Sequence, residues 1–427
     1  MTTGKTVYTL AEIVAHARRH SPFYRECYRH IPEGESALDQ LPLLEQTAFW
    51  AANDLANNQL LTDKLADGFV FKSGGTTGAP KFSVYTKEEW AAFTGAFGRG
   101  MAAKALKAGD RIANLFYVGD LYASFLFIMA SIERAPLPLL QLPIGGVTSP
   151  AAVRKAAQDF QANVLAGVPT TLAGFAEFLV QQGVVLNGVE RVIFGGEAFY
   201  DDQRPLFATV FPRAEIVSIG YASVDAGLLG YADDTCSDGE HRPFNPETIV
   251  EIVDETSGEP INAAGLPGKV VVTSLTRRLM PIIRYPAGDR AVWLDPEATG
   301  NRRFKLLGRS EEGARIGPVT VYLDDVRQIL RQISPDGRVL GFQLVVRRET
   351  GRDLLEVRLV NASAGKTASS LEAAFRERFY AARPMYKQLL DEGKIAAARL
   401  VLVTAQDLAI NPRTGKQLLL LDLRKMS

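Results

Sequence analysis

A lysine and several hydroxyl groups set among glycines form the first arrangement in this chain that could do chemistry. Ser73, Gly74, Gly75, Thr76, Thr77, Gly78 and Lys81 fall within FKSGGTTGAPKFS, residues 71–83. Glycines let backbone N–H groups turn inward around an anion, hydroxyls add donors, and a lysine supplies a point charge suited to a polyphosphate. A Walker loop would place Lys directly after the last Gly and Ser or Thr directly after Lys. Here Ala79 and Pro80 separate Gly78 from Lys81, and Phe82 follows it, so that spacing fails. A bare turn between two strands would share this composition, and the loop alone does not choose between the two.

Four further segments carry groups of the same kind. IFGGEAF, residues 193–199, ends an apolar run in Gly195 and Gly196, with Glu197 next, and such glycines permit close approach of a flat ring. IGYASVDAG, residues 219–227, offers Gly220, Tyr221 and Asp225. RYPAGD, residues 284–289, ends in Asp289, a carboxylate able to accept two hydrogen bonds. PRTGK, residues 412–416, presents Lys416 on a Thr-Gly turn.

The elements that position these groups follow from the apolar pattern. Beta-type runs RIANLFYV, ANVLAGV, RVIFGG and GKVVVTSL alternate with helical patterns through the first three hundred residues, so a large α/β region with helices on sheets is expected. LYASFLFIMASI, residues 121–132, is apolar on all faces and reads as a buried core helix. Near LLGRSEEGARIGPV the texture changes to small and charged residues, which marks a domain boundary. Beyond it Val326, Ile329, Leu330 and Ile333 follow helical spacing, a strand pair GFQLVVRR and LLEVRLV follows, and Ser369 with Glu372 form a capping box before a helix with Leu371, Phe375 and Phe379 on one face. The expected fold class is α/β: a large multi-sheet N-terminal domain, residues 1–308, and a small mobile α+β C-terminal domain, residues 309–427.

SGGTTGAPK resembles the signature loop of the adenylate-forming superfamily, which joins acyl-CoA synthetases, peptide-synthetase adenylation domains and luciferases. The other four segments match that family in order and at plausible distances. The resemblance implies that Ser73 to Gly78 and Lys81 hold the β- and γ-phosphates of ATP. It implies that Gly195, Gly196, Glu197, Gly220 and Tyr221 face the adenine and that Asp289 and Arg309 reach the ribose. Tyr221 matches the stacking Tyr of the motif Tyr-Gly-x-Thr-Glu, and Asp225 stands where the family has the Glu near magnesium. Ala222 replaces the motif Gly and Val224 replaces the Thr that bonds phosphate. Gly308 and Arg309 match the hinge approach, where Glu311 and Glu312 replace the family's Asp pivot. Lys416 matches the lysine beside the α-phosphate and the substrate carboxylate. A desolvated ammonium there would offset the repulsion of two approaching anions.

SPFYRECY and LPLLEQTAFW, with the stretch from Val250 to Asp289, resemble the phenylacetate–CoA ligase branch, though Glu45 and Gln46 stand where that branch often has Lys. The resemblance implies an ATP- and Mg2+-dependent aryl-acid–CoA ligase working through an acyl-adenylate, with phenylacetate, benzoate or anthranilate as the type of acid. Its cofactors would be ATP, Mg2+ and coenzyme A. A carrier-protein thiol is the alternative acceptor, a non-catalytic nucleotide-binding protein the rival class, and a homodimer the candidate assembly. Tyr117, Phe125 and Gly220 are the candidate substrate pocket, although an aromatic stripe at helical spacing is more often core.

Composition narrows the remaining classes. Lys+Arg and Asp+Glu each number 48, and that balance argues against a general nucleic-acid or anionic-membrane binder. The apolar run at 121–132 is too short to span a bilayer, and MTTGKTVYTLAEIVAHARRH reads as the start of a helix, not as a signal peptide. Only Cys27 and Cys236 are present, which argues against a disulfide framework and fits a reducing cytoplasm. His16 with His20, and Cys236 with His241, lack the further ligands of a structural zinc site.

Overall fold

The structure is a computed structural model of the chain. It describes residues 5–73, 81–197, 199–309, 313–317, 319–334, 339–349, 351–361, 368–412 and 414–424, with backbone alone at Ser73, Asp202, Arg309, Thr320, Asp324 and Asn361. The chain divides into two compact units. The first comprises Met1–Val168, Gly188–Ala198 and Arg213–Ser310; the second comprises Pro169–Asn187, Phe199–Pro212 and Glu311–Ser427.

In the first unit, the alternating pattern folds into a five-stranded parallel sheet. Its spatial order is Leu140–Pro143, Arg111–Asn114, Val164–Gly167, Arg191–Phe194 and Glu215–Ser218. The inner strands are apolar on both faces, with Ile112, Ala113, Val164, Leu165, Val192 and Ile193 buried, as expected of a sheet covered on two sides. The chain enters at Arg111–Asn114, runs to one neighbour and then returns to the other side. Such a reversal opens a crevice beyond the carboxyl ends of the strands.

Two helices cover part of this sheet. Lys87–Ala102 starts at a Thr86/Glu89 capping box, and Ser124–Arg134 packs across it at Gly98, where a Cβ would come within 2.3 Å of the Ser131 carbonyl oxygen. The run expected as a fully buried helix therefore buries one face only. Phe127, Ile128 and Ile132 enter the core, whereas Leu126 and Met129 are exposed. Apolar content on all faces exceeds what one helix and one sheet can cover.

A seven-stranded antiparallel sheet completes this unit, ordered Thr248–Val253, Pro267–Ser274, Tyr285–Trp293, Phe304–Arg309, Glu240–Pro243, Gly227–Tyr231 and Tyr221–Ser223. The N-terminal helix, Leu10–His20, opens at a Thr9/Glu12 capping box. Its Ile13, Val14 and Ala17, with Tyr24 and Tyr28 beyond it, share one core with Val270, Val272, Met280 and Ile282 of the sheet region. The buried Tyr24 hydroxyl donates to the Pro281 carbonyl at 2.8 Å, so this aromatic is polar-satisfied as well as packed.

The second unit holds a four-stranded sheet ordered Arg399–Val403, Arg352–Asn361, Val339–Glu349 and Leu420–Asp422. Val326, Ile329, Leu330 and Ile333 of the helix Leu323–Ile333 and Leu371, Phe375 and Phe379 of the helix Ala368–Ala382 share its core. That helix begins at Ala368, so Ser369 lies inside its first turn and not at the cap, and Glu372 accepts from Arg376 at 2.8 Å. An i,i+4 partner one turn ahead competes for the carboxylate that a capping box would use.

Candidate nucleotide-binding site

The carboxyl ends of neighbouring parallel strands gather several of the expected residues. Gly195, Gly196 and Glu197 follow Arg191–Phe194, Gly220 and Tyr221 follow Glu215–Ser218, and Tyr117 lies three residues beyond Arg111–Asn114. Two of the glycines are required by close approach. A Cβ on Gly195 would lie 2.5 Å from Ile219 Cγ2. Gly220 sits at φ +122, with a would-be Cβ 3.1 Å from the Phe97 ring. Its N–H donates to Ser218 Oγ at 3.2 Å, and His241 Nε2 lies 3.5 Å from that hydroxyl. Burial pushes the His241 imidazole down to about 4, so it stands neutral beneath this turn.

Tyr221 leaves the turn across His241 and Phe304, with ring centroids 5.9 and 6.3 Å away, and its hydroxyl donates to Asp289 Oδ2. Asp289 is in register with Arg309 across the antiparallel pair, so the two positions expected at one ribose face each other on adjacent strands. The fold thus brings an aromatic ring, a carboxylate and two sterically required glycine gaps to one end of the parallel sheet. These are the groups a purine nucleoside needs: a flat gap, a stacking face and an acceptor for a diol.

The expected phosphate loop lies between paired strands. Phe69–Ser73 runs antiparallel to Lys81–Tyr85, with Ser73 opposite Lys81, and Gly74, Gly75, Thr76, Thr77 and Gly78 lie outside the described residues. Lys72 ties this hairpin to the segment after Tyr117: its N–H donates to the Leu121 carbonyl at 2.9 Å and its ammonium lies 2.6 Å from Asp120. Lys81 Nζ stands 5.3 Å from the centroid of Trp50, whose indole N–H donates to the Tyr285 hydroxyl at 3.1 Å. Asp225 follows Val224, whose carbonyl accepts from the buried Tyr85 hydroxyl at 2.7 Å.

The other expected residues sit as follows. Tyr117 is buried in the apolar core between the sheet and its helices, and Phe125 packs against the same core, with Phe125 N–H donating to the Tyr117 carbonyl at 3.0 Å. Glu311 and Glu312 lie outside the described residues. In the second unit, Lys416 closes a tight turn in which Asn411 N–H donates to the Lys416 carbonyl at 2.8 Å and Gly415 takes φ +65. An isolated bridge between Ile410 and Gln417 seals this turn.

No family model matches the chain. It is 27% identical over 375 residues to a phenylacetate–coenzyme A ligase of Thermus thermophilus, covering 82% of this chain and 79% of that protein. A phenylacetate–coenzyme A ligase of Aromatoleum evansii is 25% identical over 381 residues, covering 85% and 83%. Among solved structures, 2-hydroxyisobutyryl-CoA ligase with bound 2-HIB-AMP superposes with a TM-score of 0.74 at 19% identity, over 98% of this chain and 88% of that one. The same ligase with 2-HIB-AMP and CoA gives 0.63 at 20% identity, over 97% and 88%. The chain is thus similar in sequence to phenylacetate–coenzyme A ligases over more than four fifths of its length. Its mixed α/β architecture is the fold of the superposed ligase structures.

Three residues of this ligase-like chain carry geometry that the motifs did not point to. Arg277 is buried, donates to the carbonyls of Asp225 and Val84 at 3.0 Å each, and lies 4.2 Å from the Tyr85 ring centroid. The other two are the buried Tyr85, beside Arg277, and the buried His241, which packs separately against Tyr221 and Phe304. In SLTRRLM nothing local separates the buried Arg277 from Arg278, whose guanidinium reaches His16 Nδ1 at 2.8 Å. One usable signal was an arginine three residues after the apolar strand GKVVVTS, where a charge needs partners.

Proposed function

We propose that this chain is an AMP-forming acid–thiol ligase that activates an aryl or arylacetic acid as its adenylate and passes the acyl group to CoA. The observation that carries the reading is the convergence of Gly195, Gly196, Gly220 and Tyr221 at the carboxyl ends of the parallel strands, with Asp289 bonded to Tyr221. The curated relatives named as phenylacetate–CoA ligases favour an arylacetic acid over benzoate or anthranilate.

In the first step a carboxylate oxygen of the acid attacks the α-phosphorus of ATP. The bond from that phosphorus to the bridging oxygen breaks, and pyrophosphate leaves with the electron pair. Gly195 and Gly196 admit the adenine edge-on, Tyr221 supplies the stacking face, and Asp289 with Arg309 orients the ribose. Lys81 and the loop before it draw the β- and γ-phosphates away from the reacting centre. Lys416 supplies the positive charge that two approaching anions require. In the second step the CoA sulfur attacks the acyl carbon, the anhydride C–O bond breaks, and AMP leaves. A swing of residues 309–427 about Glu311 and Glu312 would withdraw Lys416 between the two steps.

The residues present suit a magnesium ion held mainly by its nucleotide. Mg2+ takes one or two protein carboxylates beside phosphate oxygens and water, and Asp225 is a donor of that type. Among the described residues no group of three or more His, Cys, Asp or Glu side chains gathers. The ion would neutralise phosphate charge. Among the described residues no helix is long and apolar enough to cross a membrane.

Acyl-CoA formation from ATP, Mg2+, CoA and a panel of phenylacetate, benzoate and anthranilate tests this reading. Turnover with phenylacetate and CoA is expected. An adenylate that forms but never reaches CoA would move the acceptor to a carrier-protein thiol. Nucleotide binding without acid-dependent turnover would leave a non-catalytic nucleotide-binding protein.

A further inference from the structure

Arg277 is an expensive residue for its position. It is only 2% exposed, a guanidinium in the interior is costly unless its donors are used, and its Nε has no hydrogen-bond partner among the described residues. A site that needed only packing would favour an apolar side chain of similar volume. Both terminal nitrogens are used, and on two different segments. Nη1 donates to the Asp225 carbonyl and Nη2 to the Val84 carbonyl, each at 3.0 Å. One planar fork therefore bridges the strand Lys81–Tyr85 and the segment that carries Asp225.

A second link joins the same two segments. Tyr85, the residue after Val84, is fully buried, and its hydroxyl donates to the Val224 carbonyl at 2.7 Å. The Arg277 guanidinium lies 4.2 Å from the centroid of that same ring. Burial pushes the Tyr85 hydroxyl up to about 12, so it remains a donor across the working pH range. The neighbouring backbone is held as well: Arg278 and Leu279 N–H groups donate to Glu89 Oε1 at 2.7 and 2.8 Å, just beyond the hairpin. Each link engages a main-chain group, so together they set a backbone-to-backbone spacing.

We propose that Arg277 and Tyr85 form a two-point latch that positions Lys81 and Asp225 relative to each other, and so sets the span offered to the triphosphate of ATP. The proposal rests on the adenylation reading. Arg277 and Tyr85 are positioning residues: they act through the strand and the segment they join. Where the superfamily motif has a Thr, this chain has Val224, whose carbonyl takes the tyrosine hydroxyl. Adenine and ribose contacts at Gly195, Tyr221 and Asp289 lie outside the latch. The latch therefore discriminates between ATP and AMP, and between the two half-reactions.

Arg277→Lys keeps a positive charge but cannot span both carbonyls. Tyr85→Phe keeps the ring and removes one hydrogen bond. Losing one such bond corresponds to about 2- to 13-fold in an equilibrium or rate. Tyr85→Phe is expected to weaken ATP binding and slow adenylation within that range, and Arg277→Lys by at least about tenfold. AMP affinity, and transfer of the acyl group from a supplied acyl-adenylate to CoA, should stay within about twofold of the parent, inside the effect of one hydrogen bond. Equal losses for ATP and AMP, equal losses in both half-reactions, or no loss in either variant would overturn the latch. If the parent binds ATP but shows no acid-dependent turnover, the ligase reading fails while the ATP-against-AMP comparison still decides the latch. A parent that binds neither nucleotide would overturn both.

Discussion

Replacing Gly220 by alanine tests whether the turn that presents Tyr221 is as tightly built as it looks. The residue sits at φ +122, a conformation that side-chain-bearing residues rarely adopt. Holding a non-glycine residue in a sparsely populated region costs about 1–3 kcal/mol. The added Cβ would also meet the Phe97 ring at 3.1 Å and the Gly230 carbonyl oxygen at 3.3 Å. Phe97 has little room to yield, being 2% exposed with Phe127 at 4.6 Å and Phe244 at 5.8 Å between centroids. Overpacking of this sort adds about 1–3 kcal/mol. Gly34→Ala is the matched control, since Gly34 also has positive φ, at +88, but nothing lies within 4 Å of its would-be Cβ. Because the control shares the positive φ, the difference is the overpacking alone, and Gly220→Ala should cost about 1–3 kcal/mol more than Gly34→Ala. That difference places its first melting transition about 2–12 °C lower, at about 2–4 °C per kcal/mol for a unit of this size. Titration with AMP should show affinity reduced about tenfold in Gly220→Ala, the equivalent of one good hydrogen bond displaced with Tyr221, and unchanged in the control. Coincident melting curves for the two variants, with parental AMP affinity in both, would refute the argument.

The other predictions concern single groups. Tyr221→Phe removes the donor to Asp289 and should lower AMP affinity about 10- to 100-fold, as for a hydrogen bond to a charged group, measured by calorimetry. His241 has a folded value of about 4 against an ordinary 6.5, so the native state binds fewer protons than the unfolded one. Its contribution is therefore complete above pH 6.5 and is lost as pH falls towards 4, with a ceiling of about 3 kcal/mol; denaturant melts of His241→Gln should lack that part of the slope. Lys416→Ala should cripple adenylation while a supplied acyl-adenylate still reacts with CoA, and equal loss in both half-reactions would remove Lys416 from its role. Chelation of Mg2+ should stop pyrophosphate release yet leave AMP binding intact, because adenine and ribose contacts need no ion.

Much of the site was legible because its chemistry sits on short motifs. Gly195, Gly220, Tyr221 and Asp289 were named because their segments resemble motifs of the adenylate-forming superfamily; the fold puts the first three at strand ends and bonds the fourth to Tyr221, while their binding roles remain proposals. The strands were legible too: the valine run of GKVVVTS forms Pro267–Ser274 with Val270, Val271 and Val272 fully buried. What escaped notice depends on partners remote in sequence. Arg277 is separated from Val84 by 193 residues, and its local context reads like that of its exposed-looking neighbour Arg278. The Tyr85 link to Val224 spans 139 residues and leaves no periodic trace. The helix Ser124–Arg134 shows the opposite limit, since apolarity on every face did not reveal which face the sheet would cover. At Ser369, a serine three residues before Glu372 read as a cap, but the helix begins at Ala368 and already includes it, and Glu372 accepts from Arg376.

Acid-dependent exchange of labelled pyrophosphate into ATP, with Mg2+ and without CoA, tests adenylate formation most directly. The account predicts label entering ATP only when an aryl or arylacetic acid is present, phenylacetate being the first to try, and AMP as the product once CoA is added. Exchange that ignores the acid, or ADP and inorganic phosphate as the products, would contradict it.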